Sequence, residues 1–218
     1  MLISAWALRC HSKVSGNAKA SKRGTATVGF HAFLCLDLSK CLTIQILTAM
    51  KEFIIIAGTQ NAGKTTSAWA LYQRLFPYSK NTTLFVNGQL TNSHGELVYN
   101  EPPYETQLTD FKAILHIYGY IVAIISGGDY DDLLEDEIES VIAENADFIV
   151  ISLRSINRAG SSRRMLKEKY SQSYTREFWV PEKDMTLTHP ADIVNHVRPF
   201  ADRISNYILY QTEYNQLT

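Results

Sequence analysis

FIIIAGTQNAGKTTSAWALYQRLF, Phe53 to Phe76, begins as a β-branched run, passes through a loop bracketed by two glycines, and continues as a helix-forming stretch that ends before Pro77. Within it, Gly58-Thr-Gln-Asn-Ala-Gly63-Lys64-Thr65 has the spacing G-x-x-x-x-G-K-[ST], placed between a strand and a helix. The spacing has a physical reason. Glycines let the backbone wrap closely around an anion, and the N–H groups of Asn61, Ala62, Gly63, Lys64, Thr65 and Thr66 can converge on it at the positive end of a helix. Lys64 then adds a point charge for β- and γ-phosphates, and the Thr65 hydroxyl is a ligand for the Mg²⁺ that bridges them.

At these residues the sequence resembles the P-loop NTPase superfamily. The resemblance implies an α/β fold: a three-layer α/β/α sandwich around a mostly parallel sheet, binding ATP, with GTP possible, together with Mg²⁺. It covers the loop and its flanking elements and does not select a family within the superfamily.

Downstream, TTLFVNG (Thr82 to Gly88) reads as a strand and the polar stretch with Pro102-Pro103 as a loop. FKAILHI and YIVAIIS, separated by Tyr118-Gly119, read as the sheet's one antiparallel hairpin. The second of these strands runs into Ser126-Gly127-Gly128-Asp129. Ligands of open α/β sheets gather at the carboxyl ends of strands, so Asp129 is the expected Mg²⁺ carboxylate, with helix capping as the alternative role. An acidic helix follows, then the strand FIVISL, then Arg154, Arg158, Arg163 and Arg164 within eleven residues. A guanidinium grips two phosphate oxygens at once, which makes Arg158 the candidate for stabilising a transition state, against the plainer reading of an exposed basic loop. REFWV reads as a last strand, with Phe178 and Trp179 in the core, and Ala191 to Tyr210 as a covering helix interrupted near Pro199.

The sequence departs from several P-loop patterns. It has no D-x-x-G switch and no N-K-x-D, which weakens a GTPase reading, and no Asp-Glu pair ending a strand, which leaves a motor-type catalytic Glu without a candidate. Two functions follow: an NTP hydrolase or small-molecule phosphotransferase of kinase-like type, with Lys64, Asp129 and Arg158 as its catalytic groups, or a nucleotide-dependent switch with slow or no hydrolysis. The phosphoryl acceptor or protein partner is not legible.

Composition bounds the remaining classes. The 218 residues are 45% hydrophobic and carry a formal net charge of −1, which fits a folded domain and gives no footprint for nucleic acid. No apolar run reaches the ~20 residues a membrane span needs. The six histidines lack metal spacing, and the three cysteines lack a zinc set and are odd in number, which favours a reducing, cytoplasmic setting. All three cysteines fall in residues 1–49, with six of the 21 basic residues and one of the 22 acids, so residues 50–218 hold 15 basic and 21 acidic residues. The basic leader fits a transit peptide, a real extension, or a start extended upstream of Met50, which stands directly before KEFIIIAG. Residues 50–218 are expected to form the nucleotide-binding domain.

Overall fold

β1 (Glu52–Gly58) is buried along nearly its whole length, as a β-branched run with no polar alternation must be when both of its faces are covered. The computed structural model describes residues 51–92, 95–101, 107–127, 131–155, 161–181, 187 and 190–214, all within the unit Gln45–Thr218. After β1 come α1 (Lys64–Leu75), a 3₁₀ turn at Phe76–Tyr78, β2 (Ser79–Val86), β3 (Gln89–Thr91), β4 (Phe111–Ile117) and β5 (Tyr120–Ile125). α2 (Asp131–Ala143), β6 (Phe148–Arg154), α3 (Ser162–Lys169), β7 (Tyr174–Trp179) and α4 (Pro190–Tyr214) complete the order.

The seven strands form one sheet in the order β3-β2-β4-β5-β6-β1-β7. The pairs β5–β6, β6–β1 and β1–β7 are parallel, whereas β3–β2, β2–β4 and β4–β5 are antiparallel. The expected P-loop sandwich, mostly parallel with one hairpin, is therefore corrected: the sheet is mixed, and its β3-β2-β4 side is antiparallel throughout. Connection length explains the difference. β2 and β3 are joined by Asn87-Gly88, both at positive φ (50° and 74°), and a two-residue turn can join only antiparallel neighbours. Asn-Gly after a hydrophobic run is a strong hairpin signal that the reading of Thr82 to Gly88 as a lone strand passed over. The second hairpin is where it was expected, with Tyr118 and Gly119 also at positive φ (50° and 87°). Parallel pairing is confined to strands reached through the crossover helices α2 and α3.

Alternate strand residues feed two cores. Ile54, Ile56, Leu115 and Val150 pack with Trp69 and Leu71 of α1 and with Val197 and Ile204 of α4. Phe53, Ile55, Ile114 and Ile149 pack with Leu134 and Ile138 of α2 and Leu166 of α3. Because successive side chains of a strand point to opposite faces, each face carries its own helix pair.

α4 runs unbroken through Pro199, although an interruption was expected there. Pro199 and Asn195, whose carbonyl loses its partner, are both exposed, so the missing hydrogen bond falls on the solvent-facing side of the helix. At the sheet edge, Phe178 packs partly buried on the core, but Trp179 is 53% exposed rather than buried. Among the described residues no helix is long and apolar enough to cross a membrane.

Candidate functional site

The chain leaves β1 at Gly58 and turns through Thr59 to Gly63 before α1 begins at Lys64. Asn61 (φ 60°) and Gly63 (φ 85°) take left-handed conformations, and Ala62 N–H closes the turn on Thr59 O at 3.3 Å. The loop is tight. A Cβ at Gly58 would come within 3.1 Å of Ala62 Cβ and 3.4 Å of Lys64 Cγ, so glycine is the residue that lets the loop close over the strand end. Gly63 caps α1, and its carbonyl accepts from Ser67 N–H at 2.8 Å and from Ser67 Oγ at 2.9 Å. The N–H groups of the first turn have no intrahelical acceptor, and that turn holds no acidic residue, so its partial positive charge is uncompensated within the helix. Lys64 Nζ donates to Thr59 O at 2.9 Å, which folds its side chain back along the loop.

Thr65 meets a residue the sequence analysis did not single out. Its Oγ donates to Asp110 Oδ1 at 2.9 Å, and Ser126 Oγ donates to the same oxygen at 3.2 Å. Asp110 immediately precedes β4. Since β4 runs antiparallel to β5, the start of β4 lies beside the end of β5, where Ser126 N–H donates to Phe111 O (2.9 Å) and Phe111 N–H to Ser126 Oγ (2.7 Å).

The preceding residue is equally fixed. Thr109 is buried, its N–H donates to Val98 O at 2.9 Å, its Oγ to Asn100 Oδ1 at 2.8 Å, and its carbonyl accepts from Trp69 Nε1 at 2.8 Å. Trp69 belongs to α1, four residues after Thr65, and its ring lies 4.0 Å from that of Phe111 between centroids. One helix therefore carries both the hydroxyl and the indole that anchors the segment bearing the carboxylate.

Asp129 and Arg158 lie outside the described residues. Gly58 closes β1, and Asn61, Ala62, Gly63, Lys64, Thr65 and Thr66 all lie in the segment that follows at its carboxyl end. Of the other arginines, Arg154 stands in register with Gly58, where Ser155 N–H donates to Gly58 O at 3.0 Å. Arg163 pairs with Glu177 and lies 5.5 Å from the Trp179 ring, while Arg164 pairs with Glu168 one turn along α3 (2.6 Å). Arg163 and Arg164 thus stand in the first turn of a helix, with Ser161 preceding it. The acidic face of α2 is met by Lys169, which bridges Glu135 and Glu139.

On the α2 side of Asp110 lies a cleft of about 360 Å³ lined by Phe85, Asn87, Asp110, Lys112, Leu133 and Glu137. Lys112 Nζ donates to Ser140 Oγ at 3.2 Å and sits 5.0 Å from the centre of the Phe85 ring. Burial pushes the Glu137 carboxyl above the ordinary carboxylate range, Lys112 pulls it back, and Asp110 pushes it further up.

Among the described residues no three His, Cys, Asp or Glu side chains cluster as a metal site. One carboxylate and one hydroxyl nonetheless suit Mg²⁺, which keeps several waters and takes the rest of its oxygens from substrate phosphates. No protein-family model, no curated protein and no solved structure matches this chain.

Proposed function

We propose that the protein binds ATP with Mg²⁺ through the Gly58–Thr66 loop, as P-loop proteins do, and transfers the γ-phosphoryl group to water or to a small molecule. The observation that carries this reading is the Thr65 Oγ–Asp110 Oδ1 hydrogen bond of 2.9 Å. It sets a hydroxyl and a carboxylate side by side at the mouth of a loop whose spacing suits phosphate. Both are hard oxygen donors, which suits Asp110 to a metal-positioning role; Asp129, the expected carboxylate, lies outside the described residues.

In this reading the loop N–H groups and the first turn of α1 bind the phosphates. Lys64 exchanges Thr59 O for β- and γ-phosphate oxygens, a shift of its ammonium along a loop it already spans. Thr65 and Asp110 would hold Mg²⁺, which when bound offsets the charge that develops on the phosphates. Arg154, in register with Gly58, is the described arginine whose backbone lies beside the loop. The odd cysteine count favours placing this activity in the cytoplasm.

The test is calorimetric titration of the full chain with ATP and GTP, with and without Mg²⁺, beside Lys64→Ala. Mg²⁺-dependent ATP binding that is lost in the variant is expected. Equal binding by the variant would overturn the loop's role. Single-turnover release of phosphate from bound ATP then separates an enzyme from a switch, in which bound ATP persists.

A further inference from the structure

The cleft beside Asp110 adjoins the loop. Asp110 Oδ1 faces Thr65 and Ser126, and the same residue forms one wall of the cleft. Gly127 lies at this junction, where a Cβ would stand 3.5 Å from Asp110 Oδ2, so Gly127 itself puts no side chain between the carboxylate and the cleft. The volume of the cleft, about 360 Å³, lies within the range of small-molecule sites.

The walls select by charge and shape. Asp110 and Glu137 contribute two carboxyl groups, while Lys112, the one cation among the described lining residues, meets Ser140 Oγ and the Phe85 ring. Phe85 and Leu133 offer carbon surface, and Leu133 is 66% exposed at the rim. The described walls thus carry two carboxyl groups to one ammonium, so a small cation with a short carbon frame meets more opposite than like charge, together with apolar contact, and a phosphorylated or carboxylated compound the reverse.

Building on the nucleotide reading above, we propose that this cleft receives the phosphoryl acceptor and that the acceptor is a small amino alcohol, its ammonium held by Glu137 and its hydroxyl directed toward Asp110. In the transfer the acceptor oxygen forms a bond to the γ-phosphorus as the bond from that phosphorus to the β–γ bridging oxygen breaks. ADP leaves with that electron pair, and the hydroxyl proton passes to solvent.

The probes are ethanolamine and 2-amino-1,3-propanediol, with glycerol 3-phosphate as the anionic contrast. Each is titrated into the full chain by calorimetry, with and without Mg²⁺ and a non-hydrolysable ATP analogue. Glu137→Gln keeps the side-chain shape, and Leu133→Lys places a cation at an exposed rim position where folding is not at risk. Saturable binding of an amino alcohol, weakened tenfold or more in both variants and absent for glycerol 3-phosphate, is the expected result. Absence of amino-alcohol binding in a wild-type chain that binds the nucleotide analogue would overturn the cleft assignment and leave the nucleotide reading standing. Undiminished binding in both variants, or preference for glycerol 3-phosphate, would overturn it as well. If the wild-type chain bound no nucleotide, that reading would fall, and titration of the amino alcohols alone would still decide the cleft.

Discussion

The Thr65 hydroxyl donates to the Asp110 carboxylate across 2.9 Å, joining residues 45 apart in the chain at the point where α1 leaves the glycine loop. If this pair positions Mg²⁺, Asp110→Asn and Thr65→Ala should each reduce Mg²⁺-dependent ATP affinity by about tenfold or more. The double variant should lose less than the product of the two, because the residues act on one ion. Calorimetry with and without Mg²⁺ reads both quantities. Full additivity would separate the two residues functionally.

Gly63 has φ 85° and only Val197 Cγ1, at 4.0 Å, near the place a Cβ would take. Space is therefore available and conformation is the obstacle. Gly63→Ala should cost about 1–2 kcal/mol, the penalty of a left-handed L-residue, measured by urea unfolding. Gly88→Ala meets the same positive φ at an open turn and serves as a control away from the loop. Nucleotide affinity should fall only in the Gly63 variant.

Trp69 Nε1 donates to the carbonyl of buried Thr109 at 2.8 Å. Trp69→Phe keeps an aromatic ring against Phe111 but strands that carbonyl, at a cost of about 1–3 kcal/mol. Because Thr109 precedes Asp110, the same variant should weaken Mg²⁺-dependent binding although Trp69 touches no ligand. A stability loss with unchanged Mg²⁺ dependence would show that Asp110 is held independently of α1's indole.

Glu137 is held above the ordinary carboxylate range chiefly by burial. A raised folded-state pKa in an acid means that the folded state takes up protons more readily than the unfolded one. The contribution of Glu137 is then fully present below its unfolded pKa, about 4.3, and is lost as pH rises through the folded value. Glu137→Gln should therefore stabilise the protein near neutrality relative to wild type, and the difference should shrink as pH falls toward 4. Paired thermal melts from pH 4 to 8 measure it, and a pH-independent difference would count against a titrating Glu137.

Much of this was written locally. The β-branched run before Gly58, the glycine spacing to Thr65, and Tyr118-Gly119 between two apolar runs each depend on contacts within a few residues, and each formed where its residues indicated. Asn87-Gly88 was equally legible as a turn, and it marks the β2–β3 hairpin and with it the antiparallel side of the sheet. Pro199 was misleading because a helix break depends on which face the proline occupies, and the exposed face of α4 tolerates the missing N–H.

The sequence by itself determined the loop, its lysine and its threonine, because a tight turn between a strand and a helix is fixed by the backbone freedom of adjacent residues. Only the tertiary structure decided which acid stands beside Thr65. Asp110 precedes an apolar run with nothing in its own neighbourhood to mark it, and it reaches the carboxyl edge of the sheet because β4 approaches from the opposite direction to β5. The antiparallel register between those strands and the Trp69–Thr109 bond from α1 place it there. Such long-range pairings carry chemistry that no spacing along the chain encodes.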